Sequence, residues 1–275
     1  MNASPDGSPV TGTVTGPVLG MDVGSECVKA VILGPDQGIL ARTSTPTCGY
    51  FETCIEEATK AVIEESKIAT DDLAAVVATG FGARCVTNAT SEVSSSMAHA
   101  IGAHLHNPHE MTIIDIGGQE IRAISVAADG TRLAARGGRK CISGIGSFLM
   151  FAARHLDVHP TRMQELAAES DTPATVSSFC SVFSSNELLE HLRDGSSRED
   201  VALGCMQAIA ERILELGVQG PSVVITGGVP EYFPGVLKQF EQLSSIEVTV
   251  SPDPIYTGAH GAALTAFSTI GKDEE

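Results

Sequence analysis

Short apolar runs that end in glycine turns set the pattern of this chain. Residues 111–114 are apolar or β-branched, Asp115 ends the run, and Gly117 and Gly118 precede an alternating segment, 121–126. This pattern predicts a buried strand, a tight turn and a second strand. An ordinary hairpin with a solvated aspartate would look the same, because Asp and Gly are common turn residues. The alternative is a site where the carboxylate holds Mg²⁺ and bare backbone approaches a phosphate.

The same pattern occurs near the start of the chain. Residues 17–33 predict a strand that ends at Asp22, a turn through Gly24 and Ser25, and a returning strand. Two such units favour a site over chance, because α/β folds bind ligands where their strands end. Lys29 lies just past the turn, where it would either neutralise a phosphate or lie on the solvent face.

A third apolar run leads into a glycine pair, Gly227 and Gly228. The chain has no GxxxxGK[ST] motif and no complete GxGxxG motif, so neither a P-loop nor a Rossmann dinucleotide site is supported. Three strand–turn units spread along the chain instead describe a nucleotide held between two lobes.

Apolar residues at helical spacing predict helices between these strands, which gives an α/β protein. The predicted helices cover residues 52–68, 91–104, 146–156, a segment closed by Gly195, 198–216, 229–243 and 261–270. Further strands are predicted before Gly80 and at 246–250, and residues 44–50 are predicted to be rich in turns.

Composition narrows the classes of partner. A formal charge of −17 over 275 residues argues against binding to a nucleic-acid backbone or to an anionic membrane surface. A nucleotide is not excluded, because backbone dipoles and Mg²⁺ bind phosphate locally. No run of about 20 apolar residues predicts a membrane helix. Residues 1–16 lack a secretory signal and predict a disordered tail, so we expect a cytoplasmic protein with reduced thiols.

Two cysteines, Cys141 and Cys180, each precede a predicted helix in a Gly/Ser-rich turn. A helix N-terminus stabilises a thiolate, which suits a metal ligand or a reactive nucleophile. The alternative is that both are small buried apolar residues, as free cysteines commonly are. Four histidines lie between His99 and His109, but their spacing matches no standard zinc pattern, so we predict a surface or connector role.

The three turns resemble the nucleotide loops of the actin, Hsp70 and sugar-kinase superfamily. MDVGSE is similar to the first phosphate loop, IDIGGQE to the second and ITGGVPEY to the adenosine loop. The resemblance implies an α/β, two-lobed, ribonuclease H-like ATPase fold with the nucleotide cleft between the lobes. We expect one lobe at residues 17–107 and the other at 108–275.

Four further segments narrow the resemblance. ATGFGAR, KCISGIGSFL, SSFCSVFSSNELL and PIYTGAHGAAL look like segments of the activator ATPases of 2-hydroxyacyl-CoA dehydratases and of the ATPase subunits of ATP-dependent benzoyl-CoA reductases. That family implies ATP hydrolysis coupled to transfer of a low-potential electron. It also implies that Cys141 and Cys180 are this chain's ligands to a 4Fe–4S cluster shared with a second subunit, in a homodimer or heterodimer. The implied partners are the acceptor enzyme and a ferredoxin-like or flavodoxin-like donor.

The resemblance also assigns roles within the cleft. Asp22 and Asp115 would lie near Mg²⁺ or its waters and, with Gln119, would act in catalysis. The residues implied around the nucleotide are Gly24, Ser25, Lys29, Gly117 and Gly118 at the phosphates, and Gly227 and Gly228 at the nucleoside.

Several residues depart from the family pattern, among them Ser147 and residues 184–186, and two of the departures are acids. Glu120 stands where the second phosphate loop usually has Asp, and Glu26 places negative charge where phosphates are expected. These changes leave open the alternative that the chain is a subunit that completes the cluster without hydrolysing ATP. A sugar or acetamido-sugar kinase of the same superfamily is the other alternative, and it would have no role for Cys141 and Cys180.

Overall fold

Two five-stranded mixed sheets form the framework of the protein. The computed structural model describes residues 14–137, 144–176, 181–218 and 220–267. The first sheet has the order β3-β2-β1-β4-β5. Its strands are β1 (Val18–Val23), β2 (Cys27–Leu33), β3 (Ile39–Pro46), β4 (Ala75–Thr79) and β5 (Ser91–Glu92).

The second sheet repeats the plan of the first, with the order β10-β9-β6-β7-β8. In each sheet a buried strand pairs antiparallel with the next strand in the chain and parallel with a later one. The strands of the second sheet are β6 (Met111–Ile116), β7 (Ile121–Val126), β8 (Arg132–Gly137), β9 (Val223–Thr226) and β10 (Thr249–Val250). The repeated plan explains why the strand–glycine pattern recurs in the sequence.

Helices cover both faces of each sheet. They are α1 (Phe51–Ser66), α2 (Ser95–His106), α3 (Ile145–His155), α4 (Met163–Ala167), α5 (Ser181–Arg193), α6 (Arg198–Leu214), α7 (Gly228–Tyr232), α8 (Gly235–Ser244) and α9 (Thr257–Thr265). α1 packs on one face of the first sheet, while α3, α6 and α8 share the largest apolar cluster with the second sheet. Among the described residues, no helix is long and apolar enough to cross a membrane.

Helices α2 and α9 pack together between the inner faces of the two sheets. Ala98 of α2 and Ala259 of α9 join the apolar cluster of the first sheet, whereas Ala100 and Ala103 of α2 join that of the second. α2 follows the first sheet in the chain and precedes the second, so it connects them. α9 returns to the first sheet, although it comes last in the predicted second lobe. The division at residues 107 and 108 stays a prediction.

Several predicted boundaries were wrong for identifiable reasons. The helix expected from residue 91 begins at Ser95, because the side chain of Ser94 accepts a hydrogen bond from the N–H of Met97 at 3.3 Å and caps it. The helix expected over 229–243 is split into α7 and α8 at Pro234, because a proline in the interior of a helix lacks an N–H donor and its ring clashes with the carbonyl four residues earlier. β3 extends into the segment expected to be rich in turns.

Candidate functional site

The carboxylate of Asp22 lies at the end of β1 in a buried ion pair. Its Oδ2 is 2.8 Å from Nζ of Lys29, the residue directly opposite on β2, and both side chains are buried. Burial alone would lower the pKa of Lys29, but the charge of Asp22 leads the contributions that raise it above its ordinary value. The site therefore contains a fixed ammonium beside its first carboxylate.

The carboxylate of Asp115 occupies the equivalent position at the end of β6. Oδ1 lies 3.6 Å from Nδ1 of His99, and Oδ2 lies 3.7 Å from a guanidinium nitrogen of Arg122. Gly227 follows the neighbouring strand with a φ of +98°, and a methyl group there would lie 2.8 Å from Asp115 Oδ1. A residue without a side chain is therefore required beside this carboxylate.

Each aspartate has a buried threonine beside it on the adjacent parallel strand. Thr79 on β4 lies opposite Asp22, and Thr226 on β9 lies opposite Asp115. The hydroxyl of Thr226 lies 2.9 Å from Nδ1 of His99, while Oγ1 of Thr79 has no hydrogen-bond partner among the described residues. Carboxylate oxygens and the hydroxyl of Thr79 suit a hydrated Mg²⁺, because a buried hydroxyl without a partner calls for a water or ion, whereas the hydroxyl of Thr226 is already bonded to His99. The donor set therefore fits Mg²⁺.

The two predicted phosphate turns meet each other. Each is closed by its own backbone, with the N–H of Gly24 donating to Cys27 and that of Gly117 donating to Glu120. A methyl group on Gly118 would lie 2.3 Å from Cγ of Glu26. The backbone of the second turn therefore lies directly against a side chain of the first.

The first turn of α3 is bonded to both phosphate turns. Ser147 donates its N–H to the carbonyl of Gly118 at 3.2 Å and its hydroxyl to Oε1 of Glu26 at 2.5 Å. The side-chain amide nitrogen of Gln119 donates to the same hydroxyl at 3.0 Å, and the backbone carbonyl of Gln119 accepts the N–H of Gly144 at 2.8 Å. These bonds join the turns of both sheets to one helix.

The third glycine turn faces open space. A methyl group on Gly228 would meet no described atom within 4 Å, so its backbone is accessible to a ligand. The N–H of Gly227 donates to the carbonyl of Pro254 at 2.9 Å, which fixes the turn. Burial raises the pKa of Tyr232 on α7, and a hydrogen bond with the side chain of Ser44 on β3 opposes this shift. The helix after this turn therefore contacts the first sheet.

The substitution at Glu120 has a local explanation. Its carboxylate forms an ion pair with Arg122, two residues along the chain. Arg122 also donates to the hydroxyl of Ser95 at 3.0 Å and lies beside Asp115. The side chain of Glu120, which is longer than that of aspartate, is therefore directed to the guanidinium of Arg122.

The two predicted cluster ligands, Cys141 and Cys180, lie outside the described residues. α5 begins at the residue after Cys180, α3 begins four residues after Cys141, and the two helices pack together. Within the described ranges, no three His, Cys, Asp or Glu side chains are grouped to hold a metal. The cysteines that the structure describes, all free thiols, are Cys27, Cys48, Cys54, Cys85 and Cys205.

His99 is one of the site residues that sequence reasoning missed. The surface role was wrong for it, because only 3% of this residue is exposed, and it lies on α2, which connects the two sheets. It lies beside Asp115 and Thr226, so it belongs to the site. The available indication was a polar residue on the otherwise apolar face of α2.

Comparison with known proteins gives this geometry a context. The BadF/BadG/BcrA/BcrD ATPase family matches residues 19–266. The (R)-2-hydroxyglutaryl-CoA dehydratase activating ATPase of Acidaminococcus fermentans is 34% identical over 262 residues, which cover 92% of this chain and 98% of that protein. The activator of the 2-hydroxyisocaproyl-CoA dehydratase from Clostridium difficile, solved with bound ADPNP, superposes with a TM-score of 0.84 at 30% identity, over 91% of this chain and 94% of the other.

A more distant structure bears on the fold alone. A ROK family glucokinase from Streptomyces griseus superposes with a TM-score of 0.54 at 14% identity, over 91% of this chain and 99% of the other. Together with the dehydratase activator above, this structure confirms the predicted actin-like α/β architecture. At this identity the likeness carries no information about a sugar substrate.

Proposed function

Because this chain belongs to the BadF/BadG/BcrA/BcrD ATPase family, we propose that it is an ATP-hydrolysing activator that passes a low-potential electron to a partner enzyme. The acceptor would be a 2-hydroxyacyl-CoA dehydratase, since both activators compared above are named for such enzymes. An ATP-dependent benzoyl-CoA reductase is the second acceptor class. The electron donor would be a ferredoxin-like or flavodoxin-like protein.

The observation that carries the proposal is the double attachment of Ser147. Through it the first turn of α3 is bonded to Glu26 of one phosphate turn and to Gln119 of the other. A change in nucleotide state that moves either turn would move α3 and, through it, α5. These helices follow Cys141 and Cys180 in the chain. By linkage, ATP drives this change only through its different affinities for the two arrangements.

The nucleotide would bind between two lobes, residues 17–107 and 108–275. Asp22 and Asp115 would hold Mg²⁺, which neutralises phosphate charge when bound. Lys29 would keep Asp22 in place and add positive charge beside the first turn. The amide nitrogen of Gln119 is held by Ser147, which leaves its carbonyl oxygen to orient the attacking water.

Cys141 and Cys180 would ligate the iron–sulfur cluster. Thiolates are its usual ligands, and the N-terminal ends of α3 and α5 favour an anionic group next to them. When bound, a 4Fe–4S cluster supplies a one-electron carrier. Two thiolates per chain are half of the four that such a cluster takes, so a second subunit must supply the rest.

The first experiment measures iron and acid-labile sulfide in protein purified anaerobically with its partner subunit. We expect Cys141→Ser and Cys180→Ser each to abolish the cluster absorbance, because serine is a poor replacement for a thiolate ligand, while nucleotide affinity stays within about twofold. Cys48→Ser is the matched control, since Cys48 is an exposed free thiol, and it should keep full iron. Iron-free wild type, or full iron in both ligand variants, would contradict the cluster assignment.

A subunit that completes the cluster without hydrolysing ATP is the second candidate. Glu26 favours it, because this carboxylate lies against the second phosphate turn, where it would repel a phosphate. ATP turnover by the chain, measured with and without its partner subunit, separates the two candidates. A chain that binds ATP but hydrolyses none in either state would fit the second.

A further inference from the structure

His99 lies between the two halves of the proposed magnesium site. It projects from α2, the helix that connects the sheets, and is almost fully buried. Nδ1 of its ring lies 2.9 Å from Oγ1 of Thr226 and 3.6 Å from Oδ1 of Asp115. One edge of the imidazole is therefore fixed against the second sheet.

The opposite edge of the ring faces the first sheet. A methyl group placed on Gly258, at the start of α9, would lie 2.8 Å from Nε2 of His99 and 3.1 Å from Oδ2 of Asp22. These two atoms are therefore no farther apart than the sum of those distances, about 5.9 Å. A single side chain thus lies beside Asp115 and within about 6 Å of Asp22.

Close packing of α2 on α9 holds the ring in this position. Added methyl groups on Gly102 and Gly261 would lie 2.3 Å from the carbonyl oxygen of Thr257 and 1.8 Å from that of Ala98, respectively. The two backbones are therefore in direct contact, and His99 cannot move away without moving the helix pair.

We propose that His99 is a positioning residue for the metal–nucleotide site. Its bond to Thr226 fixes the ring, and the ring fixes the orientation of Asp115 relative to Asp22. The side chain acts through the carboxylates and needs no contact with the nucleotide. This inference rests on the proposed function, because its effect is expressed through Mg²⁺-dependent nucleotide binding.

Substitutions separate the two edges of the ring. His99→Leu removes both nitrogens, His99→Asn keeps a polar atom near Nδ1, and Thr226→Val removes the hydroxyl while keeping the shape of the threonine. We expect His99→Leu and Thr226→Val each to reduce the Mg²⁺-dependent gain in ADP affinity by about tenfold, because each removes the bond that fixes the ring. His99→Asn should recover most of that gain. The double variant His99→Leu/Thr226→Val should be no worse than either single variant, since both remove one interaction.

The control is a hydrogen bond between a histidine and a hydroxyl at the opposite ends of β6 and β9. Nε2 of His109 lies 3.2 Å from the hydroxyl of Ser222, just before β9. His109→Leu should leave the Mg²⁺-dependent gain unchanged.

Calorimetric titration with ADP, with and without Mg²⁺, makes the measurement, and thermal unfolding checks each variant. Wild type without any Mg²⁺-dependent binding would overturn the proposed function itself. Wild-type behaviour in folded His99→Leu and Thr226→Val would overturn this inference while leaving the function intact. If His99→Leu fails to fold, Thr226→Val decides alone. A tenfold loss of the Mg²⁺-dependent gain in ADP affinity would support the inference, and an unchanged gain would contradict it.

Discussion

At the scale of single residues, the two aspartates at the centre of the site and their nearest partners are polar side chains with almost no exposure. Asp22 and Lys29 are both buried, and so are Asp115 and His99. A buried charge is costly unless it is paired, so each partner depends on the other. The hydroxyl of Thr79 has no partner among the described residues, and that departure from ordinary packing lies beside Asp22.

His260 on α9 gives a pH dependence to stability. Burial lowers its pKa to about 4, with a smaller contribution from His106, while Asp253 opposes the shift. The unfolded chain, with a pKa near the ordinary value of about 6.5, then binds more protons than the folded protein between these pH values. Stability is therefore full above about pH 6.5 and falls as the pH drops towards 4, by at most about 1.4 kcal/mol per unit.

Urea midpoints measured at pH 7.5 and pH 5 check this expectation. His260→Gln should lose less stability than wild type over this range, because glutamine takes up no proton. His109→Gln, on an exposed histidine, should keep the wild-type dependence. An identical fall in wild type and His260→Gln would contradict the assignment.

At the scale of elements, contact between α3 and the second phosphate turn is the coupling on which the proposal depends. A methyl group on Gly146 would lie 2.8 Å from Cα of Gly118. We expect Gly146→Ala to push the helix off the turn and weaken ATP binding by about tenfold, the equivalent of about 1.4 kcal/mol. Gly137→Ala is the control, because a methyl group there meets no described atom within 4 Å. Equal ATP affinity in the two variants, measured by calorimetry, would show that the turn does not depend on α3.

The same elements show how much of the fold the sequence predicts. Apolar runs that end in Asp or lead into Gly located β1, β6 and β9 well, because a buried strand needs continuous apolar residues and a tight turn needs glycine. Helix ends were less predictable from the spacing of apolar residues. The cap at Ser94 sets the start of α2, and Pro234 separates α7 from α8. His99 was missed because its role depends on Thr226, more than a hundred residues away.

At the scale of the whole molecule, two similar sheets place matched aspartates on either side of a connecting helix pair. The repeat was visible in the sequence as paired strand–turn units. Their meeting was not, because contact between Gly118 and Glu26 depends on how the sheets are placed by α2 and α9. The attachment of α3 to both phosphate turns likewise arises only in three dimensions.

The central claim is that nucleotide state in this cleft controls a shared iron–sulfur cluster. The most direct test measures how fast a chelator removes iron from anaerobically purified protein, with Mg-ADP and with a non-hydrolysable Mg-ATP analogue. Because α3 and α5 would move with the phosphate turns, we predict rates that differ several-fold between the two nucleotides. Protein that holds no iron, or that loses iron at the same rate with both nucleotides, would contradict the claim.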